Sequence, residues 1–237
     1  MPSHTLFFYG TLMAPPVLHR VIWGSPTPPT EAHASLLHIR PAILHSHRRH
    51  RVKGADYPAL VPVPSTSEDP SPSSVRGALV TGLTDGDIWR LDIFEGDEYT
   101  REKVRVRILT EQNGNEGGAD VLGLGASDGG EIEGEEVDTE TYIWTAGTHR
   151  LEPNEWDFKE FVRERMERWV GGGVGERDAG FDDVDNATST SRDDPTGGRG
   201  AFGDISRQLA QQQQQKAGDC NTNQINNEEE KILNGAV

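Results

Sequence analysis

An α+β domain built on a curved antiparallel or mixed sheet, with flanking helices, is the architecture this sequence predicts. Three observations carry that reading. Short apolar runs of strand length are interspersed with two or three helical patterns. Residues 103–110 alternate strictly, with Val104, Val106 and Ile108 on one face and Lys103, Arg105 and Arg107 on the other. The ordered composition extends over about 140 residues, enough for one sizeable core.

The elements follow in order. Thr5 to Tyr9 is a short aromatic-rich run that reads as a buried strand. Pro15 and Pro16 open a helix, since proline is tolerated in a first turn. Val17, Leu18, Val21 and Ile22 form its apolar stripe, and Gly24 suits its end. Residues 25–30 are a Pro-rich connection, and Ala34 to Leu44 reads as a strand broken near Pro41. Tyr57 to Val61 is a short extended piece, followed by a Ser/Pro loop at 65–74 and a strand from Gly77 to Leu83. Asp85 to Glu95 is a helix with Thr84 as its N-cap and Gly96 as its stop. Thr141 to Ala146 is a strand that pairs with 103–110. Asn154 caps a final helix whose inner stripe is Phe158, Phe161, Val162, Met166, Trp169 and Val170.

Charge sets the expected domain limits. Residues 1–108 carry 12 Lys/Arg and 11 Asp/Glu, whereas 109–140 hold 10 acidic side chains and no basic one. The Gly/Glu/Asp-rich stretch from about 111 to 139 is expected to be a disordered insertion, an overgrown hairpin loop. Residues 171–237, with the run Gln211–Gln215, are expected to be a disordered low-complexity tail. One domain is thus expected over 1–170.

The net charge of −16 argues against nucleic-acid binding. Cys220, the single cysteine, excludes an internal disulfide and suits a reducing compartment. No run of about 18 apolar residues marks a transmembrane helix. The apolar N-terminal run has no basic region before it, so no signal peptide is expected. The expected location is cytoplasmic or nuclear, without membrane contact. The sequence names no cofactor or metal and leaves the oligomeric state open.

Two stretches carry candidate chemistry. In the first, LFFYGTLM, a strand ends at Tyr9-Gly10-Thr11 and leads toward a helix N-terminus. Gly10 lets a ligand approach the backbone, and the amides that follow suit a carboxylate or phosphate. An ordinary tight turn fits the same residues. It is neither a P-loop nor a dinucleotide fingerprint. The second stretch is the helix ending in Glu95, whose side chain shares a face with Ile88 and Leu91. A carboxyl on an apolar stripe is costly unless paired or used, and burial would raise its pKa toward that of a general acid/base. A last-turn position where the stripe meets solvent is the alternative, and Asp92 is the rival acid. The basic run from His45 to Arg51 lacks a nearby Cys or carboxylate to complete a zinc set and reads as an exposed hairpin. No Gly-x-Ser-x-Gly nucleophile elbow is present.

Four motifs in order resemble one family. They are Phe8-Tyr9-Gly10-Thr11-Leu12, Tyr57-Pro58-Ala59-Leu60, Gly77-Ala78-Leu79-Val80-Thr81-Gly82-Leu83, and the run Leu91-Asp92-Ile93-Phe94-Glu95-Gly96-Asp97-Glu98-Tyr99-Thr100-Arg101. Together they resemble the gamma-glutamylcyclotransferase-like family, in its plant avirulence-induced-gene-like branch, over about residues 5–108 and 141–170. The resemblance implies a small mixed β-barrel with flanking helices. It implies a cavity between the first loop and the acid-bearing helix. Tyr9, Gly10, Thr11 and Leu12 would bind a gamma-glutamyl substrate, Tyr57 and Tyr99 would lie near the pocket, and Glu95 would be the general acid/base. The implied reaction closes the substrate's α-amine onto its side-chain carbonyl, releasing 5-oxoproline and an amine. A non-catalytic ligand-binding or regulatory module and a small-molecule acyltransferase are the other functions this fold allows.

Overall fold

A computed structural model describes residues 3–64, 73–111, 131–170 and 178–190. Five strands close a barrel: β1 (His4–Phe8), β5 (Ser74–Leu83), β2 (His38–His45), β6 (Tyr99–Glu111) and β7 (Glu131–Trp144), in that spatial order. All neighbours are antiparallel except β7 and β1, whose parallel contact at Leu6 and Glu140 closes the ring. A second, three-stranded sheet has the order β4 (Pro58–Pro62), β3 (His47–Val52), β8 (Leu151–Glu155). The α+β barrel with flanking helices is therefore the observed architecture.

Period-two alternation along β1 divides the core. Phe7 and Tyr9 point into the barrel with Leu44, Leu79, Val106 and Ile143. Leu6 and Phe8 point outward, into a layer formed with α1 (Pro15–Trp23) and α3 (Asp85–Glu95). The α1 stripe of Val17, Leu18, Val21 and Ile22 is fully buried there, as its spacing predicts. Helix α3 starts with a reciprocal capping box: Thr84 accepts the Asp87 amide while Asp87 accepts the Thr84 amide at 2.8 Å. It ends at Gly96, whose φ is 64°.

Several elements differ from their sequence expectation. Residues 31–34 form a short helix, α2 (Glu31–Ala34), and β2 runs through Pro41 unbroken. Pro41 stands opposite Ala78 in the β2–β5 ladder, which continues on both sides of it, while β6 pairs with β2 only at Ala42 and Ile43. The basic run is not an exposed hairpin. After Ser46, at φ 60°, it becomes β3, held between β4 and β8.

The expected insertion is shorter than its composition suggests. Residues 131–140 belong to β7 and are paired along β6, leaving only 112–130 outside the described residues. Three acidic residues of β7 stand opposite basic ones: Glu140 against Lys103, Asp138 against Arg105, Glu136 against Arg107. Cross-strand charge matching thus orders a segment that looks solvated when read alone. Near the C-terminus, Asp157 and not Asn154 is the cap, accepting the amides of Lys159 and Glu160, and Asn154 lies in β8. The final helix is split into α4 (Phe158–Glu164) and α5 (Met166–Val170).

The expected tail begins too early. Residues 179–190 form α6 (Ala179–Thr190), which packs on α3. Phe181 and Val184, three residues apart, are its buried face. The run Gln211–Gln215 and Cys220 lie outside the described residues. Among the described residues, no helix is long and apolar enough to cross a membrane.

Candidate functional site

A cavity of about 260 Å³ opens where the end of β1 faces the C-terminal end of α3. Its wall begins with the chain as it leaves the barrel. Tyr9 is anchored because its hydroxyl donates to the Tyr142 carbonyl at 2.7 Å, and its own carbonyl accepts from Arg49 at 2.9 Å. Gly10 follows at φ −122°, an ordinary value, so glycine is not required there for a left-handed turn. It is required for space: a Cβ would lie 2.7 Å from Cγ of Pro58. Residues 11–13 then form a 3-10 turn, in which Met13 donates to the Gly10 carbonyl and Ala14 to that of Thr11. The turn uses the carbonyls at its start and leaves the first amides, on Thr11 and Leu12, without a partner inside it. Both residues line the cavity.

Helix α3 supplies the facing wall with Ile93, Phe94 and Glu95. The Glu95 carboxyl is pushed up from 4.5 to about 8. Burial is the largest cause, followed by the negative charges of Asp178 and then Asp92. Asp92, the rival acid, does not line the cavity: it accepts from Tyr142 at 2.8 Å and from Arg101 at 3.1 Å. That clamp ties the middle of α3 to β6 and β7 and so sets where Glu95 stands.

All four tyrosines of the chain line this one cavity. Tyr99 donates to the Pro58 carbonyl at 2.8 Å and Tyr57 to Glu98 at 3.0 Å. Burial is the main cause that raises each of the four phenols, Tyr57 to about 12. They are neutral, committed donors near pH 7, whereas Glu95 titrates close to it. Among the described residues, no Lys, Arg or His lines the cavity.

The structure therefore brings Tyr9, Gly10, Thr11, Leu12, Tyr57, Glu95 and Tyr99 to one cavity. Sequence reasoning missed Tyr142, Trp169 and the group Asp178, Gly180 and Asp183, which also line it. Tyr142 carries a faint signal in the alternation of its strand. Asp178 carries none.

The family model described as gamma-glutamyl cyclotransferase, AIG2-like, matches residues 6–158. This chain belongs to that family. It is 29% identical to Protein AIG2 B of Arabidopsis thaliana over 171 residues, 71% of this chain and 76% of that protein. It is 30% identical to AIG2-like protein D of the same plant over 167 residues, 70% of this chain and 84% of that one. Among solved structures, the solution structure of At3g28950.1 from Arabidopsis thaliana is 26% identical, with a TM-score of 0.42, covering 72% of this chain and 79% of that one. In this AIG2-like chain the matched segment contains the loop, all four tyrosines and Glu95. Trp169, Asp178, Gly180 and Asp183 reach the cavity from beyond it.

Proposed function

We propose that the protein is a gamma-glutamyl cyclotransferase, acting on a gamma-glutamyl amine or peptide. One observation carries the reading: a carboxyl that titrates near neutrality lines the same cavity as a turn whose first amides have no partner within it. The substrate's α-ammonium gives a proton to the Glu95 carboxylate, and the freed amine attacks the side-chain carbonyl carbon. The oxyanion that forms is stabilised by the amides of Thr11 and Leu12. Glu95 then returns its proton to the departing nitrogen as the carbon–nitrogen bond breaks, and takes up the second proton that the ring nitrogen must lose, which passes to the released amine or to water. The products are 5-oxoproline and the free amine. Ring closure is intramolecular, so the cavity need only fold the substrate and move protons. Neither a nucleophilic side chain nor a cofactor enters these steps.

The test is 5-oxoproline release from gamma-glutamyl amino acids, gamma-glutamyl-lysine isopeptide and glutathione. Turnover of at least one is expected, with Glu95→Gln lowering kcat by about 10²–10⁴-fold. Release of no 5-oxoproline from any of them, or a fully active Glu95→Gln, ends this reading. Ligand-induced thermal stabilisation without turnover would favour a binding module instead.

A further inference from the structure

The family match ends at residue 158, yet the cavity does not. Its outer wall is the start of α6, in a segment whose composition alone reads as tail. Three contacts seat that helix against the end of α3. Gly180 lies so close that a Cβ there would stand 2.7 Å from the Phe94 carbonyl oxygen, one residue before Glu95. The Phe181 ring sits 5.0 Å from Phe94 and 5.9 Å from Trp169, centroid to centroid, with the side chain 1% exposed. Arg20 of α1 grips Asp185 through two hydrogen bonds, at 2.9 and 2.5 Å, and lies over the Phe181 ring. The helix is thus fastened on both sides of its buried face, and Asp178, just before it, lines the cavity with Glu95.

We propose that residues 178–190 are a working part of the site, and that Asp178 is a positioning residue whose carboxylate governs the protonation of Glu95. Burial pushes the Asp178 carboxyl above its ordinary value, and the amide of Gly180, which donates to it at 2.9 Å, opposes that by favouring the carboxylate. The charge so held lines the same cavity as a second carboxyl, and among the described residues no Lys, Arg or His lines it. A like charge at that place makes Glu95 keep its proton to higher pH. Among the described residues, the other ionisable groups around Glu95 are Asp92 on its own helix, Glu98 beyond it, Asp183 on α6, and the hydroxyls of Tyr9, Tyr57, Tyr99 and Tyr142. The tyrosines are neutral, and Glu98 is paired with Arg150. Within the proposed cyclotransferase reading, Asp178 sets the pH at which the catalytic group changes form. The consequence is that this chain needs residues beyond the matched segment to tune its chemistry.

The experiment is a carbon-13 titration of the Glu95 carboxyl in the full chain, its resonance assigned by its loss in Glu95→Gln. In Asp178→Asn the Glu95 midpoint is expected to fall by on the order of one pH unit. Asp178→Glu should restore most of the difference, which a merely structural role would not require. An unchanged midpoint in Asp178→Asn overturns the proposal. This readout does not depend on turnover, so it holds whether or not 5-oxoproline is formed. Where turnover is found, the kcat/KM profile of Asp178→Asn should shift in the same direction. A shifted titration without any turnover would sink the enzymatic reading and leave this one standing.

Discussion

Glu95 is a carboxyl on the face of a helix that otherwise buries Ile88 and Leu91. Its ionised form is disfavoured by burial and by Asp178 and Asp92, so it keeps its proton to about pH 8 in the folded protein. The unfolded chain releases that proton near the ordinary 4.5. Between those values the folded state binds more protons than the unfolded one. Stability therefore falls as pH rises across that window and levels off above it. Glu95→Gln removes the titrating group, so this variant should be more stable than wild type at pH 8.5, by on the order of a few kcal/mol, while the gap narrows at pH 4.5. Denaturant midpoints at the two pH values measure it. An equal difference at both would contradict the burial assigned to this carboxyl.

The loop after β1 and the end of α3 are each held by contacts that local sequence does not announce. Gly10 is fitted against Pro58, and Pro58 is in turn held by the Tyr99 hydroxyl. A methyl group at residue 10 has no space unless the loop or β4 moves. Gly10→Ala should therefore destabilise the protein by about 1–3 kcal/mol. It should also displace the Thr11 and Leu12 amides, weakening binding of gamma-glutamyl compounds as read by calorimetry. Wild-type affinity in a folded Gly10→Ala protein would remove that loop from the binding surface. The same reasoning explains why glycine was legible at this position and its reason was not. The sequence shows a glycine after a strand, whereas the crowding that requires it comes from a proline 48 residues away.

At the scale of the whole molecule, the barrel and the helical layer meet at the cavity, and α6 finishes the layer. Phe181 of α6 is buried between Phe94, Trp169 and Arg20. Phe181→Ala should loosen α6 first, because this helix has no strand partner and is held by packing and the Arg20–Asp185 pair. Hydrogen exchange is expected to show lost amide protection over 179–190, with protection in β1, β2 and β5 retained. The substitution costs about 3–5 kcal/mol where the ring is fully enclosed. Uniform loss of protection throughout the barrel would mean that α6 is integral to the cooperative core and not a wall added to it.

Much of the barrel was legible because strand alternation and helix periodicity are local properties. The stripe of α1, the cap of α3 and the alternation of β6 each depend on neighbours within a few residues. So do the glycine-bearing turn and the carboxyl on an apolar helix face, each taken separately, which drew attention to Gly10 and Glu95. What local reading could not supply were relations across long stretches of chain. Acidic residues 136, 138 and 140 belong to a strand, where basic residues of β6 stand opposite them. Tyr142 joins the cavity because β7 closes the ring against β1. Asp178 comes to Glu95 because Phe181 and Gly180 seat α6 on α3. By itself the sequence determined the family, most of the barrel's elements and the two stretches proposed to carry chemistry. Only the tertiary structure decided which charges surround the acid, since electrostatic influence depends on distance in space and burial, and neither is written in sequence separation.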